Sequence, residues 1–196
     1  MIETAEIQKD EVIEEVDPSQ KLDLACGDNK AEGFTGVDLV KTDSVDVVHD
    51  LRKVPWPFDA ESIGEARCSH FFEHLHPTER VRFMNELYRV LKPGCGCLFV
   101  TPLGLERMVQ DFSHVWPPVV TPSYYYFDQE WLKANSIGHY AKLHGIWCNF
   151  EVRPLQIGVS PEFISRSDET KAFAVRHYTN APTDLMVLMV RRDGTG

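Results

Sequence analysis

Between Lys21 and Asn29 the chain reads KLDLACGDN, a short apolar strand running straight into a tight turn. Leu22, Leu24 and Ala25 supply the strand, and Gly27 supplies a turn position with no Cβ in the way. A ligand can come against bare backbone there. The next apolar run, FTGVDL, carries Asp38 and Leu39 at its end, and an acid at the tip of a second strand is where a nucleoside-binding α/β fold grips ribose hydroxyls. Together the two segments predict a nucleoside cofactor.

The turn also narrows which cofactor. A pyrophosphate needs a G-x-G-x-x-G turn, whose glycines let backbone N–H groups and a helix N-terminus meet the charge. Here the span reads Ala25, Cys26, Gly27, Asp28, Asn29, and an aspartate in the turn repels phosphate, so NAD is disfavoured. A nucleoside carrying a sulfonium and an ammonium tolerates Asp23 and Asp28 nearby, because opposite charge is favourable in a partly buried site. S-adenosylmethionine fits that description.

In order along the chain, five segments resemble the class I S-adenosylmethionine-dependent methyltransferases, and among them the small, type 11-like enzymes. LDLACGDN is similar to their first motif and GVDL to the second strand with its ribose acid. VDVVHDL resembles the third strand, with Asp50 and Leu51 beside the adenine. ARCSHFFEHL resembles the fourth-strand segment, and ELYRVLKPGCGCLFVTP the helix, turn and fifth strand. Ala25 stands where the family usually has its first glycine and Asn29 where it often has a third; Ala is small, and Asn tolerates left-handed geometry. The resemblance implies a Rossmann-like α/β fold with a seven-stranded, mostly parallel sheet of order 3-2-1-4-5-7-6, its last strand antiparallel, and helices on both faces. It also implies a cofactor site drawn from Asp23, Ala25, Gly27, Asn29, Asp38, Leu39, Asp50, Leu51 and Ser69, with S-adenosylhomocysteine as product.

Alternation of strand and helix patterns independently argues for a mostly parallel covered sheet. From Cys26 to Phe34 there are too few residues for a full crossover helix, so a loop is expected there. Pro77 to Leu91 places Val81, Met84, Leu87, Tyr88 and Leu91 at helical spacing, and Lys92-Pro93-Gly94 is expected to stop the helix. WCNFEVRPLQIGV reads as a strand, SDETKAFAVRHY as a helix capped by Ser167, and DLMVLMVRR as a last strand whose apolar run argues for burial on both faces.

At 196 residues, 43% hydrophobic and 26% charged, the chain fits a single domain at 21–196, preceded by an acidic segment at 1–20. That segment carries Glu3, Glu6, Asp10, Glu11, Glu14, Glu15 and Asp17 against Lys9 alone, and a solvated or frayed helix is the plainest expectation for it. The net charge of −10 argues against nucleic acid as a partner, since backbone affinity comes chiefly from Lys and Arg. No apolar run approaches the roughly 20 residues that cross a bilayer, and the N-terminus lacks a signal peptide's basic and apolar regions. No membrane association and a cytoplasmic location are expected. Cysteines at 26, 68, 95, 97 and 148 fit no disulfide framework and read as core thiols, Cys95 and Cys97 sharing a strand face.

The segment from about 103 to 146, with QDFSHVWPPVVTPSYYYFDQEW at its centre, is too long and too aromatic for a plain loop. It follows the fifth strand, and ligands of open α/β sheets bind outside the strand C-termini, so it is expected to form a lid over a small-molecule acceptor. It resembles the Q-D-x-x-H-V segment of some small methyltransferases. Asp111 and His114, three apart, can share one side of a helical turn, with His114 as base and Asp111 orienting its ring; a structural pair pinning the lid is the alternative. His70, by position, is a third catalytic candidate.

His70-Phe71-Phe72-Glu73-His74 also matches H-x-x-E-H, the inverted zincin pattern. It leaves an apolar strand, so its first residues read as a strand-end turn, and no metal is expected there. Two other functions stay open beside methyl transfer: a non-catalytic module that binds the cofactor or a partner, and a zinc hydrolase.

Overall fold

The computed structural model describes residues 20–193; the acidic segment at 1–20 lies, except for Gln20, outside them. One sheet holds seven strands: β1 (Lys21–Leu24), β2 (Thr35–Asp38), β3 (Val47–Val48), β4 (Ile63–Ser69), β5 (Leu91–Pro102), β6 (Phe150–Val159) and β7 (Pro182–Arg191). Their order is β3-β2-β1-β4-β5-β7-β6. All neighbours run parallel except β7, which is antiparallel to both β5 and β6. This is the topology the sequence implied, and helices flank it.

The short first connection forms without a helix, as its length requires. Asp23 supplies the missing order: at 2% exposure, its Oδ2 accepts the Ala31 N–H at 2.7 Å and its Oδ1 stands 3.3 Å from Arg67 Nε. Gly36 makes the return strand fit, because a Cβ there would lie 2.8 Å from Cys26 Sγ and would run into the Ser44 carbonyl.

Helix α1 (Pro77–Val90) starts where Pro is tolerated, with the His76 N–H donating to Glu79 Oε2 at 2.8 Å. It buries Phe83, Met84 and Leu87 against the sheet. Its end differs from expectation. The helix stops at Val90, and Lys92-Pro93-Gly94 belong to β5, which bulges between the Ile63–Leu91 and Glu65–Gly96 pairs. A bulge absorbs Pro and Gly that a regular ladder would reject.

Two burial expectations are corrected. Strand β7 alternates buried and half-buried side chains rather than burying both faces. Cys26, Cys68, Cys97 and Cys148 are buried free thiols, but Cys95 is only half-buried, because it sits beside the bulge.

The stretch after β5 divides in two. Helix α2 (Leu105–Val109) and the turns to Val119 lie over the C-terminal strand ends, whereas α3 (Thr121–Tyr125), α4 (Gln129–Ala134) and α5 (His139–His144) pack into the core. Phe72 explains the split: its ring is 5.2 Å from Phe99 and 5.8 Å from Tyr124, and Phe127 lies at 6.4 Å. Such pairs add about 0.5–1.5 kcal/mol each beyond burial. Tyr124 and Phe127 are therefore core, not lid.

Helix α6 (Asp168–His177) is capped as expected, with Ser167 Oγ accepting the Thr170 N–H at 3.3 Å. Among the described residues no helix is long and apolar enough to cross a membrane.

Candidate active site

A cavity of about 270 Å³ opens at the C-terminal ends of β1 and β2, lined by Ala25, Asp38, Leu39, Asp50, Leu51 and His74 among others. Its floor is the turn after β1. Ala25 (φ 57°) and Gly27 (φ 53°) both adopt left-handed backbone, the reason glycine is common at such positions. The Ala25 N–H donates to the Val37 carbonyl at 2.8 Å, tying the turn to β2. Asp38 closes the arrangement: Oδ2 accepts the Gly27 N–H at 2.9 Å and Oδ1 accepts the Val40 N–H at 3.1 Å. Its carboxylate thus stands at the cavity edge, already oriented.

Asp50 is held by Arg52, whose Nε and Nη2 lie 2.8 and 3.1 Å from its two oxygens. That contact keeps the Asp50 carboxyl below the usual range. Burial, then the Asp23 and Asp38 carboxylates, push the Cys26 thiol up, so it stays protonated beneath the turn. The other cofactor candidates are placed differently. Asp23 faces inward as a latch for the loop; the Asn29 N–H donates to the Cys26 carbonyl at 3.0 Å; Ser69 is half-buried at the end of β4. None of these three, nor Gly27, lines the cavity; they shape its floor and wall.

A second cavity, about 460 Å³, lies under α2 and the following turn, with Glu73, Leu105, Met108, Asp111, His114 and Trp116 in its lining. The His114 ring is the hinge between the two spaces, 4.9 Å from the His74 ring on the wall of the first. His114 Nδ1 lies 3.1 Å from the Met108 carbonyl, which can only accept, so Nδ1 carries the proton and Nε2 the lone pair. Asp111 Oδ2 stands 4.0 Å from that Nε2. Its short bonds go instead to Ser113, whose Oγ donates to Oδ1 at 2.6 Å and whose N–H donates at 2.8 Å. These hold the Asp111 carboxyl below its ordinary value, the Ser113 hydroxyl first. The group that orients the His114 ring is thus the Met108 backbone.

His70 lies apart from both cavities. It has left-handed backbone (φ 53°) and its N–H donates to the Val100 carbonyl at 2.8 Å, which makes it the strand-end turn the sequence predicted. Nδ1 is 3.5 Å from Glu73 Oε1 and Nε2 is 3.7 Å from Asp184 Oδ1. The Glu73 contact is the main reason its pKa is raised. His70 and His74 therefore do not present a shared helical face.

Sequence reasoning missed Arg80. Buried on α1, it donates from Nη1 to the Pro117 carbonyl at 2.8 Å and from Nη2 to the Val115 carbonyl at 3.0 Å. It ties the turn carrying His114 to the core, and burial pulls its pKa down. The only signal was an arginine inside an amphipathic helix; its partners are backbone carbonyls over thirty residues on, which sequence does not mark.

Residues 11–99 match a family model described as a methyltransferase domain. The fold is similar to that of a SAM-dependent methyltransferase from Archaeoglobus fulgidus, at TM-score 0.60 and 18% identity over 88% of this chain and 86% of that one. It is also similar to the YcgJ protein from Bacillus subtilis, at TM-score 0.51 and 16% identity, covering 90% and 93% of the two chains. No curated protein matches the sequence. The matched segment is 89 of the chain's 196 residues, and together with the strand order it supports a class I S-adenosylmethionine-dependent methyltransferase. The family match spans the segment that builds the first cavity, so S-adenosylmethionine is this methyltransferase's cofactor. The match includes Glu73 of the second cavity and ends before Asp111 and His114.

Proposed function

We infer that this methyltransferase carries the methyl group of S-adenosylmethionine from the first cavity to a small-molecule acceptor in the second. The observation that carries the reading is the shared wall: His74 lines the cofactor cavity, His114 lines the other, and their rings are 4.9 Å apart. A methyl donor and a nucleophile must meet in line at about 3 Å, and adjacent cavities with one partition provide that approach.

Asp38 would hold the ribose hydroxyls and Asp50 would lie near the adenine. Ala25, Gly27 and Asn29, shaped by Asp23, would bring turn backbone against the amino-acid end, with Ser69 behind it. The segment 105–119 serves as the cover. Phe112 and Trp116 project into solvent from it at 101% and 78% exposure, which is consistent with rings that close on an apolar acceptor body and exclude water. The ionisable side chains of the lining are Glu73, Asp111 and His114, and Nε2 of His114 is free to receive a proton from the acceptor. His70 would support this wall through Glu73.

The test is methyl transfer from labelled S-adenosylmethionine into a small-molecule metabolite extract. S-adenosylhomocysteine should form only with extract present. His114→Ala should lower turnover by about a hundredfold and leave S-adenosylhomocysteine affinity unchanged. Tight cofactor binding with no product from any extract would identify a binding module instead.

A further inference from the structure

Glu73, His74 and His114 can each bring one ligand atom within 4.8 Å of the other two, and all three present acceptors. Glu73 is 3% exposed, yet neither carboxylate oxygen accepts a hydrogen bond; His70 Nδ1 stands off at 3.5 Å. His70 faces Oε1 alone, and a buried carboxylate whose Oε2 has no partner has capacity for a further cation. Both imidazoles are prepared in the same sense. His114 Nδ1 donates to the Met108 carbonyl at 3.1 Å, and His74 Nδ1 meets the Ser113 carbonyl at 3.3 Å and Ser113 Oγ at 3.0 Å. Each Nδ1–H is thereby engaged and each Nε2 keeps its lone pair. Backbone carbonyls behind the rings are the usual outer partners of metal-bound histidine.

We propose that Glu73, His74 and His114 form a site for a zinc-class divalent transition ion on the wall between the two cavities. Two imidazoles and one carboxylate are a ligand set of catalytic zinc centres, which leave a fourth position open. Bonds near 2.0 Å at tetrahedral angles put ligand atoms about 3.3 Å apart, so the 4.8 Å span must close by more than an ångström. The side chains of Glu73, His74 and His114 would make that adjustment by rotation, since Arg80 and the Val115 N–H hold the backbone that carries His114. The pairing differs from the one the H-x-x-E-H string offers: His114, forty residues further on, takes the place of His70.

The ion's role rests on the methyl-transfer reading; its binding does not. Next to the methyl donor, the open position suits an acceptor hydroxyl. The bound O–H loses its proton to solvent, and the oxygen's electron pair forms the bond to the methyl carbon. The carbon–sulfur bond breaks with its pair going to sulfur, and neutral thioether leaves. With the ion in place His114 is a ligand and no longer takes the proton itself. A neutral amine would lose its one lone pair to the ion, whereas an alkoxide or phenolate keeps pairs to spare, so the site selects oxygen acceptors.

Chelator-treated, dialysed protein titrated with cobalt(II) alone, by calorimetry and visible absorption, tests the site. One equivalent should bind with tetrahedral d–d bands. His74→Ala, His114→Ala and the isosteric Glu73→Gln should each weaken it by about tenfold or more, while His144→Ala, which lines a different cavity, should not. S-adenosylhomocysteine binding, measured in parallel, reports that each variant is folded; should an alanine variant lose it, Glu73→Gln decides. No saturable binding, or binding unaffected by Glu73→Gln and the folded alanine variants, overturns the site. A metal-binding protein that never transfers methyl groups would leave the site standing and remove the reading of its role.

Discussion

Arg80→Met isolates the tie between the core and the turn that carries His114. Methionine fills the space of the aliphatic stem but offers no donors, leaving the Val115 and Pro117 carbonyls without the partners now at 3.0 and 2.8 Å. A third contact, to the Glu73 carbonyl at 3.4 Å, is long and adds little. Charge-assisted bonds contribute about 1.5–3 kcal/mol each, so two good ones amount to roughly 3–6. Burial of the guanidinium opposes them, as its lowered pKa records, and a net loss of about 3 kcal/mol is the expected result. For a chain of this length that corresponds to a fall in Tm of about 6–12 °C. A local probe accompanies the global one. The Val115 N–H donates to the Glu73 carbonyl at 2.9 Å, so its hydrogen exchange should accelerate more than that of the β4 and β5 amides. Turnover should fall while S-adenosylhomocysteine affinity holds. A variant with wild-type Tm and unchanged Val115 exchange would refute the reasoning, because the two bonds would then contribute nothing.

Ala25→Gly should stabilise the protein by about 0.5–1 kcal/mol, since relief of left-handed strain outweighs the entropy glycine adds to the unfolded chain; thermal melting checks it. Gly36→Ala should act the other way, by about 1–3 kcal/mol, and weaken cofactor binding, because the new methyl group would displace Cys26 under the turn; melting together with calorimetry measures both effects.

The strand order came from the family resemblance, whereas the first cavity was legible because local chemistry determines it. An apolar run, a turn with one glycine, and an acid at the next strand end are contiguous signals, and Ala25, Asp38, Leu39, Asp50 and Leu51 all reach the cavity. The second cavity was legible only in outline. Its aromatics look alike in sequence, yet Tyr124 is fully buried and Phe112 fully exposed, a division that depends on the distant rings of Phe72 and Phe99. The partner of His114 is likewise a backbone carbonyl, and backbone atoms leave no mark on composition. The H-x-x-E-H string drew attention to the right segment, but only the fold shows that His74 faces His114 while His70 turns toward Asp184.

The central claim is that the Asp38 cavity holds S-adenosylmethionine, and calorimetric titration of S-adenosylhomocysteine into wild-type and Asp38→Ala protein tests it most directly. The wild type should bind. Loss of a charge-assisted contact to the ribose should weaken the variant by about 2–3 kcal/mol, roughly 30- to 150-fold, with melting confirming that the turn survives without the Gly27 and Val40 bonds. Equal affinity in a folded Asp38→Ala protein, or no binding to the wild type at all, would contradict the assignment.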